Sequence, residues 1–254
     1  MRSTTAYPPA VPGWLTDGGR RRVLDLGSGR GALAAMLAVD GHEVFCLDED
    51  LYAVNRLAAR TDADQLGLNV VAGQAESLPF ADRSFDVVTA AQNLHRFAPG
   101  LALAEIARVL VPGGHLAITY NTRDDTVPWV KRLTRLVQQY DPAVMQGDFG
   151  HGSIDWITES PYFDQPRTRN FRNWIPATRA QMLAMVERSQ AVAGLSEAQR
   201  AELLQGVGEL YDANARPPEP LLLPWQTTCW RAEVDHTEVV FTDDEPGLDI
   251  PLDF

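Results

Sequence analysis

The chain has 254 residues, long enough for one large α/β domain with a modest insertion and short for two independent cores. Its composition, 45% hydrophobic and 22% charged, excludes a largely disordered or fibrous protein. With 34 acidic against 22 basic side chains the formal charge is -12, which repels phosphate backbones and anionic bilayers; no nucleic-acid partner and no membrane partner are expected.

The first residues, MRSTTAYPPAVPGW, hold no apolar stretch of signal-peptide type, and no run reaches the ~18 apolar residues of a membrane span. Cys46 and Cys229 lie far apart without CxxC spacing, and the five histidines join no ligand-spaced cluster. Reduced thiols, a cytoplasmic setting and no metal site follow as expectations.

From Arg22 onward short β-branched runs alternate with helical segments, the pattern of a parallel sheet with crossover helices. Strands are predicted at Arg22 to Leu26, Glu43 to Leu47, Leu68 to Ala72, Phe85 to Ala90 and His115 to Tyr120. Helices are predicted at Ala32 to Val39, Leu51 to Arg60 and Ala102 to Leu110, the last stopped by Pro112-Gly113-Gly114. Val127 to Tyr140 also reads as a helix. The stretch Asp141 to Asn170 shows no sustained period and is read as a loop or small insertion beside a ligand cleft. Thr178 to Ala191 and Ser196 to Asp212 read as helices, and TTCWRAEV as a last strand. The acidic tail after Val234 is an added strand or a mobile end.

Val23-Leu24-Asp25-Leu26-Gly27-Ser28-Gly29-Arg30-Gly31 is a strand running into a glycine-rich turn and then a helix. Glycines there let the backbone turn sharply and let a ligand approach with no Cβ in the way. An ordinary βα turn has the same look, but strand before and helix after favour a nucleoside site. The spacing is GxGxG rather than the GxGxxG of dinucleotide sites, and Asp25 stands just before the turn. An acid at that place suits an ammonium-bearing ligand and repels a pyrophosphate. About twenty residues on, VFCLDED places Asp48 where such folds keep an acid for the ribose hydroxyls; Glu49 next to it is a further cofactor candidate, with a solvated surface acid as the alternative. Asp48 as the cap of the following helix is the alternative.

The blocks VLDLGSGRG, GQAESLPF with FDVV, and AEIARVLVPGG, in this order, resemble the class I S-adenosylmethionine (SAM)-dependent methyltransferases over roughly residues 7–233. The runs AQNLHRF, YNTRDDTVPWV and LPWQTTCWRAE resemble a bacterial group akin to trans-aconitate-type and quinone-biosynthesis-type methyltransferases. The resemblance implies a mostly parallel seven-stranded Rossmann-like sheet with one antiparallel strand, flanked by helices, with a small insertion or lid. It implies SAM as cofactor, leaving S-adenosylhomocysteine, and a small-molecule acceptor. Gly27, Ser28 and Gly29 would line the methionine part, Asp25 would hold its ammonium directly or through water, and Asp48 would take the ribose. Gln74 and Ala75 would face the adenine, with Glu76 beside them, and Tyr7 is a candidate lid or part of a disordered start. The organisation implied is an N-terminal segment 1–20, a methyltransferase domain 21–234 and a tail 235–254. Within the domain, 141–175 is a loop-rich insertion and 176–215 a helical acceptor-side region.

Ligands in doubly wound sheets lie outside the carboxyl ends of the strands, so Gln92, Asn93 and His95 fall near the reacting centre. Gln92 is assigned to the cofactor and Asn93 to the acceptor, and His95 is the candidate base. The family pattern often has His-Trp where this chain has His95-Arg96, which suggests that Arg96 meets an anionic group. Asn121, Trp129 and Tyr162 are the remaining candidates for the acceptor wall, although aromatics more often pack. His151 is unplaced. O-methylation of a carboxylate or hydroxyl is favoured; a SAM-binding or partner-binding protein without catalysis is the second reading, and a nicotinamide oxidoreductase the third.

Overall fold

The computed structural model describes residues 7–60, 63–140, 152–216 and 218–241. His151 and most of the acidic tail lie outside these residues. In chain order the elements are α1 (Ala10–Leu15), β1 (Arg22–Leu26), α2 (Ala32–Val39), β2 (Glu43–Asp48), α3 (Leu51–Ala58), α4 (Ala63–Leu66), β3 (Asn69–Ala72) and β4 (Phe85–Ala91). They continue with α5 (Pro99–Val109), β5 (Leu110–Arg123), α6 (Pro128–Gln138), α7 (Ser153–Thr158), β6 (Arg167–Ala177), α8 (Arg179–Glu187), α9 (Gln190–Ala193), α10 (Glu197–Asn214) and β7 (Leu221–Glu233). A 3₁₀ turn, Leu94–Arg96, follows β4.

The seven strands form one mostly parallel sheet in the order β3-β2-β1-β4-β5-β7-β6. The order reverses direction at β1, whose neighbours are β2 on one side and β4 on the other. Such a switch point leaves a crevice at the strand tips where no connection crosses. β1 and β4 are buried along nearly their whole length, as strands covered by helices on both faces must be. Register aligns Asp25 of β1 with Cys46 of β2 and Thr89 of β4. Paired residues project to the same face, so these three polar groups form one buried row across the sheet. Both cysteines are free and buried, and burial pushes the thiols up to about 12 for Cys46 and about 11 for Cys229.

The chain divides into two compact units. One comprises 9–119, 150–169 and 229–254 and holds the glycine turn. The other comprises 1–8, 120–149 and 170–228. Its core is a helical cluster built on Trp129, Val130 and Leu133 of α6, Met182 and Val186 of α8, and Leu203 and Val207 of α10. α8 and α10 each open with a capping box, Thr178 with Gln181 and Ser196 with Gln199, satisfying amide groups that a helix end leaves bare.

Two sequence expectations are corrected here. Asp141 to Asn170, expected as a loop or small insertion without sustained period, holds α7 and the start of β6 in its described part. The helix expected over Thr178 to Ala191 is two helices, broken at Arg188-Ser189.

Candidate functional site

The glycine turn leaves β1 with Gly27, Gly29 and Gly31 all in the left-handed region, at φ of 57°, 53° and 70°. Side chains resist that conformation, so glycine is required by the path itself. Gly31 is also the N-cap of α2, and a Cβ there would lie 2.5 Å from Leu57 Cδ1; its bareness lets α3 pack against the turn. Asp48, at the tip of β2, secures the turn from the side. Its Oδ2 accepts from the Gly29 N–H at 2.8 Å and its Oδ1 from the Asp50 N–H at 3.0 Å. A carboxylate has about four acceptor positions, so two remain for a ligand.

A cavity of about 220 Å³ opens at these tips. It is lined by Gly27, Gly29, Leu47, Asp48, Glu49, Asp50, Ala53, Gly73, Gln74, Ala75, Glu76, Asn93, Arg96 and Phe97. Four carboxylates face one guanidinium, which favours a cationic ligand over a polyanion. A cavity of about 470 Å³ lies by the opposite ends of the strands, lined by Arg21, Arg167 and Arg231 among others. Their charges are matched internally by Asp86, Glu233 and Asp17, and there is no glycine-rich turn from a strand into a helix there. The smaller cavity is the candidate site.

Asp25, expected to hold an ammonium directly or through water, does not line the cavity. It is 1% exposed, lies beneath the turn, and accepts the Thr89 hydroxyl at 2.7 Å. Burial raises its carboxyl to about 6, against the lowering by the Thr89 and Ser28 hydroxyls, with the Asp48 charge adding to the rise. Ser28 also donates to the Asp25 carbonyl at 2.6 Å, and neither Asp25 nor Ser28 lines the cavity.

The far wall comes from the segment after β4. Gln92 has φ of 66°, a costly conformation for a residue with a Cβ, held by its N–H bond to Thr119 at 2.9 Å. This bend turns Asn93 back over the glycine turn, where Nδ2 donates to the Leu26 carbonyl at 2.6 Å and the Gly27 carbonyl at 3.0 Å. Asn93, expected on the acceptor wall, thus lines the cavity at the tips of β1 and β2 beside the glycine turn. Glu76 lines the cavity, but its Oε1 accepts from the Ala98 N–H at 2.7 Å and so caps the entry to α5. His95 and Arg96 are exposed on the 3₁₀ turn, with Arg96 alone on the cavity wall.

Three acceptor-side expectations fare differently. Tyr162 leaves the acceptor wall: its carbonyl accepts from Asp235 N–H at 2.8 Å, and the adjoining Val234 N–H bonds Gly114 at the beginning of β5. That is the opposite edge of the sheet from the strand tips. Trp129 is 9% exposed in the helical core of the other unit, a packing position. In that unit Asn121 Oδ1 accepts the Thr227 hydroxyl at 2.6 Å, and Tyr7 is buried. Phe97, Asp50 and Gly73 were missed by the sequence reading. Gly73 opens the GQAES block, the signal the sequence offered, and in the structure a Cβ there would lie 3.0 Å from Leu47 Cδ1.

Comparison with known proteins agrees with this architecture. The model of the family described as "Methyltransferase domain" matches residues 24–118. An uncharacterized methyltransferase of Mycobacterium bovis is 33% identical over 236 residues, covering 91% of this chain and 90% of the relative. A demethylmenaquinone methyltransferase of Beutenbergia cavernae is 40% identical over 109 residues, 42% of each chain. A solved structure of a candidate type II methyltransferase from Anaeromyxobacter dehalogenans superposes with a TM-score of 0.67 at 22% identity, covering 89% of this chain and 95% of that one. The chain belongs to the class I SAM-dependent methyltransferases and is an enzyme of that class. Among the described residues, no helix is long and apolar enough to cross a membrane and no group of three or more His, Cys, Asp or Glu side chains is placed to hold a metal ion.

Proposed function

We propose that the chain binds SAM in the cavity at the tips of β1, β2 and β4 and transfers its methyl group to a small-molecule acceptor, an oxygen of a carboxylate or hydroxyl being favoured. The observation that carries this reading is the clamp of Asp48 on the glycine turn beside a bare, acid-walled cavity. The donor set fits: acceptor positions for the ribose at Asp48, the Gln74 amide and Ala75 beside the adenine, and glycine backbone where the methionine part passes. SAM supplies an electrophilic methyl group on a positively charged sulfur.

The protein's share of the work is alignment. An in-line displacement gains most of its rate from holding donor and acceptor in register, and a base is needed only when the acceptor carries a proton. A carboxylate acceptor needs none; Arg96, exposed on the cavity wall, would hold it by a charge-assisted pair. A hydroxyl acceptor would call on His95, the neighbouring titratable group. The match to the demethylmenaquinone methyltransferase spans 42% of this chain and leaves the acceptor to be found by experiment.

Titration calorimetry tests the cofactor, and a panel of carboxylate, phenol, enol and amine acceptors with S-adenosylhomocysteine release as readout tests the chemistry. Asp48→Ala should weaken S-adenosylhomocysteine by roughly tenfold or more, since bonds to a charged acceptor are worth about 1.5–3 kcal/mol. Unchanged affinity would remove the ribose role.

A further inference from the structure

At the mouth of the glycine turn one nitrogen, Asn93 Nδ2, serves two carbonyls, those of Leu26 and Gly27. It sits where a Cβ on Gly27 would collide with it, so the face that glycine leaves bare is filled by this amide. The two carbonyls fix which way the amide faces, because its oxygen in that place would be repelled. The other end of the same group is poorly served: Oδ1 is sealed from solvent and has no hydrogen-bond partner among the described residues. A buried acceptor left unmade costs much of what the two bonds return. The strained Gln92 immediately precedes it. Asn93 is thus held in a balanced, costly pose over a pair of converging carbonyls.

Such a pair suits a fan of N–H donors carrying positive charge better than it suits a neutral amide. Asp25 lies beneath it and Asp48 beside it, both adding to the preference for a cation. The amino-acid ammonium of the cofactor has that shape and charge. Resting on the cofactor reading above, we infer that the Asn93 carboxamide holds the seat of the cofactor's ammonium and yields it by a side-chain rotation when the cofactor binds. The swing frees Oδ1 to meet water or polar groups, and the ammonium takes over the Leu26 and Gly27 carbonyls. Asn93 is then a competitor of the ligand, and removing it raises affinity.

The test compares S-adenosylhomocysteine, which carries the ammonium, with methylthioadenosine, which lacks it, by calorimetry on wild type, Asn93→Ala and Asn93→Ser, with circular dichroism confirming folding. Both variants should bind S-adenosylhomocysteine roughly fivefold tighter, because the competent state no longer has to be uncovered. Methylthioadenosine should stay within about twofold, since it does not need the seat. Either variant alone decides the question if the other fails to fold. Equal or weaker binding of S-adenosylhomocysteine by the variants, with wild type binding normally, would make Asn93 a fixed brace and overturn the exchange. Wild type binding neither ligand would overturn the cofactor reading and the exchange with it.

Discussion

A carboxylate sealed beneath a loop is costly to keep ionised, and Asp25 sets the sign of that cost. Its carboxyl is raised from 3.8 to about 6, so the folded chain holds this proton more tightly than the unfolded one. The stability it contributes is therefore complete below about pH 4 and lost as pH rises through about 6. Asp25→Asn mimics the protonated form. Above pH 7 the variant should be more stable than wild type by up to about 3 kcal/mol, two pKa units at about 1.4 kcal/mol each, and the gap should close at pH 4. Urea denaturation at pH 8 and pH 4 checks this; a gap independent of pH would assign the effect to packing. The gain would come with weaker binding of a cationic cofactor, because a negative charge beneath its seat is removed.

At the scale of elements, the cavity wall after β3 depends on one arginine of α5. Arg108 donates to Glu105 at 2.7 Å, to Asp82 at 2.6 Å, and to the carbonyls of Phe80 at 2.9 Å and Leu78 at 3.1 Å, while Glu105 also accepts from Leu78 N–H at 2.7 Å. The segment that follows Gln74 and Ala75 is thereby pinned to a rigid helix. Arg108→Met should lower stability by about 3 kcal/mol, the scale for losing one partner of a largely buried ionic cluster, and weaken nucleoside binding. Arg108→Lys should restore less than half, since an ammonium cannot span the planar fork. A urea midpoint equal to wild type in Arg108→Met would contradict this account. The central elements were legible because buried parallel strands read as short apolar runs between glycine turns; β1, α2 and the positions of Gly27, Gly29 and Asp48 followed from that pattern. β6 was not legible, since RTRNFRNWIPA is an edge strand with its first four residues exposed and Pro176 near its end. The direction of Asn93 was equally hidden, because it follows from a left-handed Gln92, and no residue pattern announces strain in a non-glycine residue. Tyr162 was misassigned for a related reason: a lone aromatic in an aperiodic stretch does not declare to which edge of a sheet its segment is tied.

For the molecule as a whole, the acidity is echoed locally: a chain of net charge -12 carries its candidate cavity among Asp48, Glu49, Asp50 and Glu76. The same balance that turns away polyanions would, on the proposed cofactor reading, draw a sulfonium toward the tips. The two buried thiols add a consequence of another kind. With Cys46 on β2 and Cys229 on β7, each closed off and each pushed far above neutral pH, neither offers a thiolate to an alkylating reagent while the sheet is intact. Iodoacetamide in native buffer should leave both unmodified over a period in which the urea-unfolded chain is carboxamidomethylated twice, as read by mass spectrometry. The rate at which the first adduct accumulates then becomes a built-in clock for spontaneous opening, with one tick from the second strand and another from the last, and no engineered label is required.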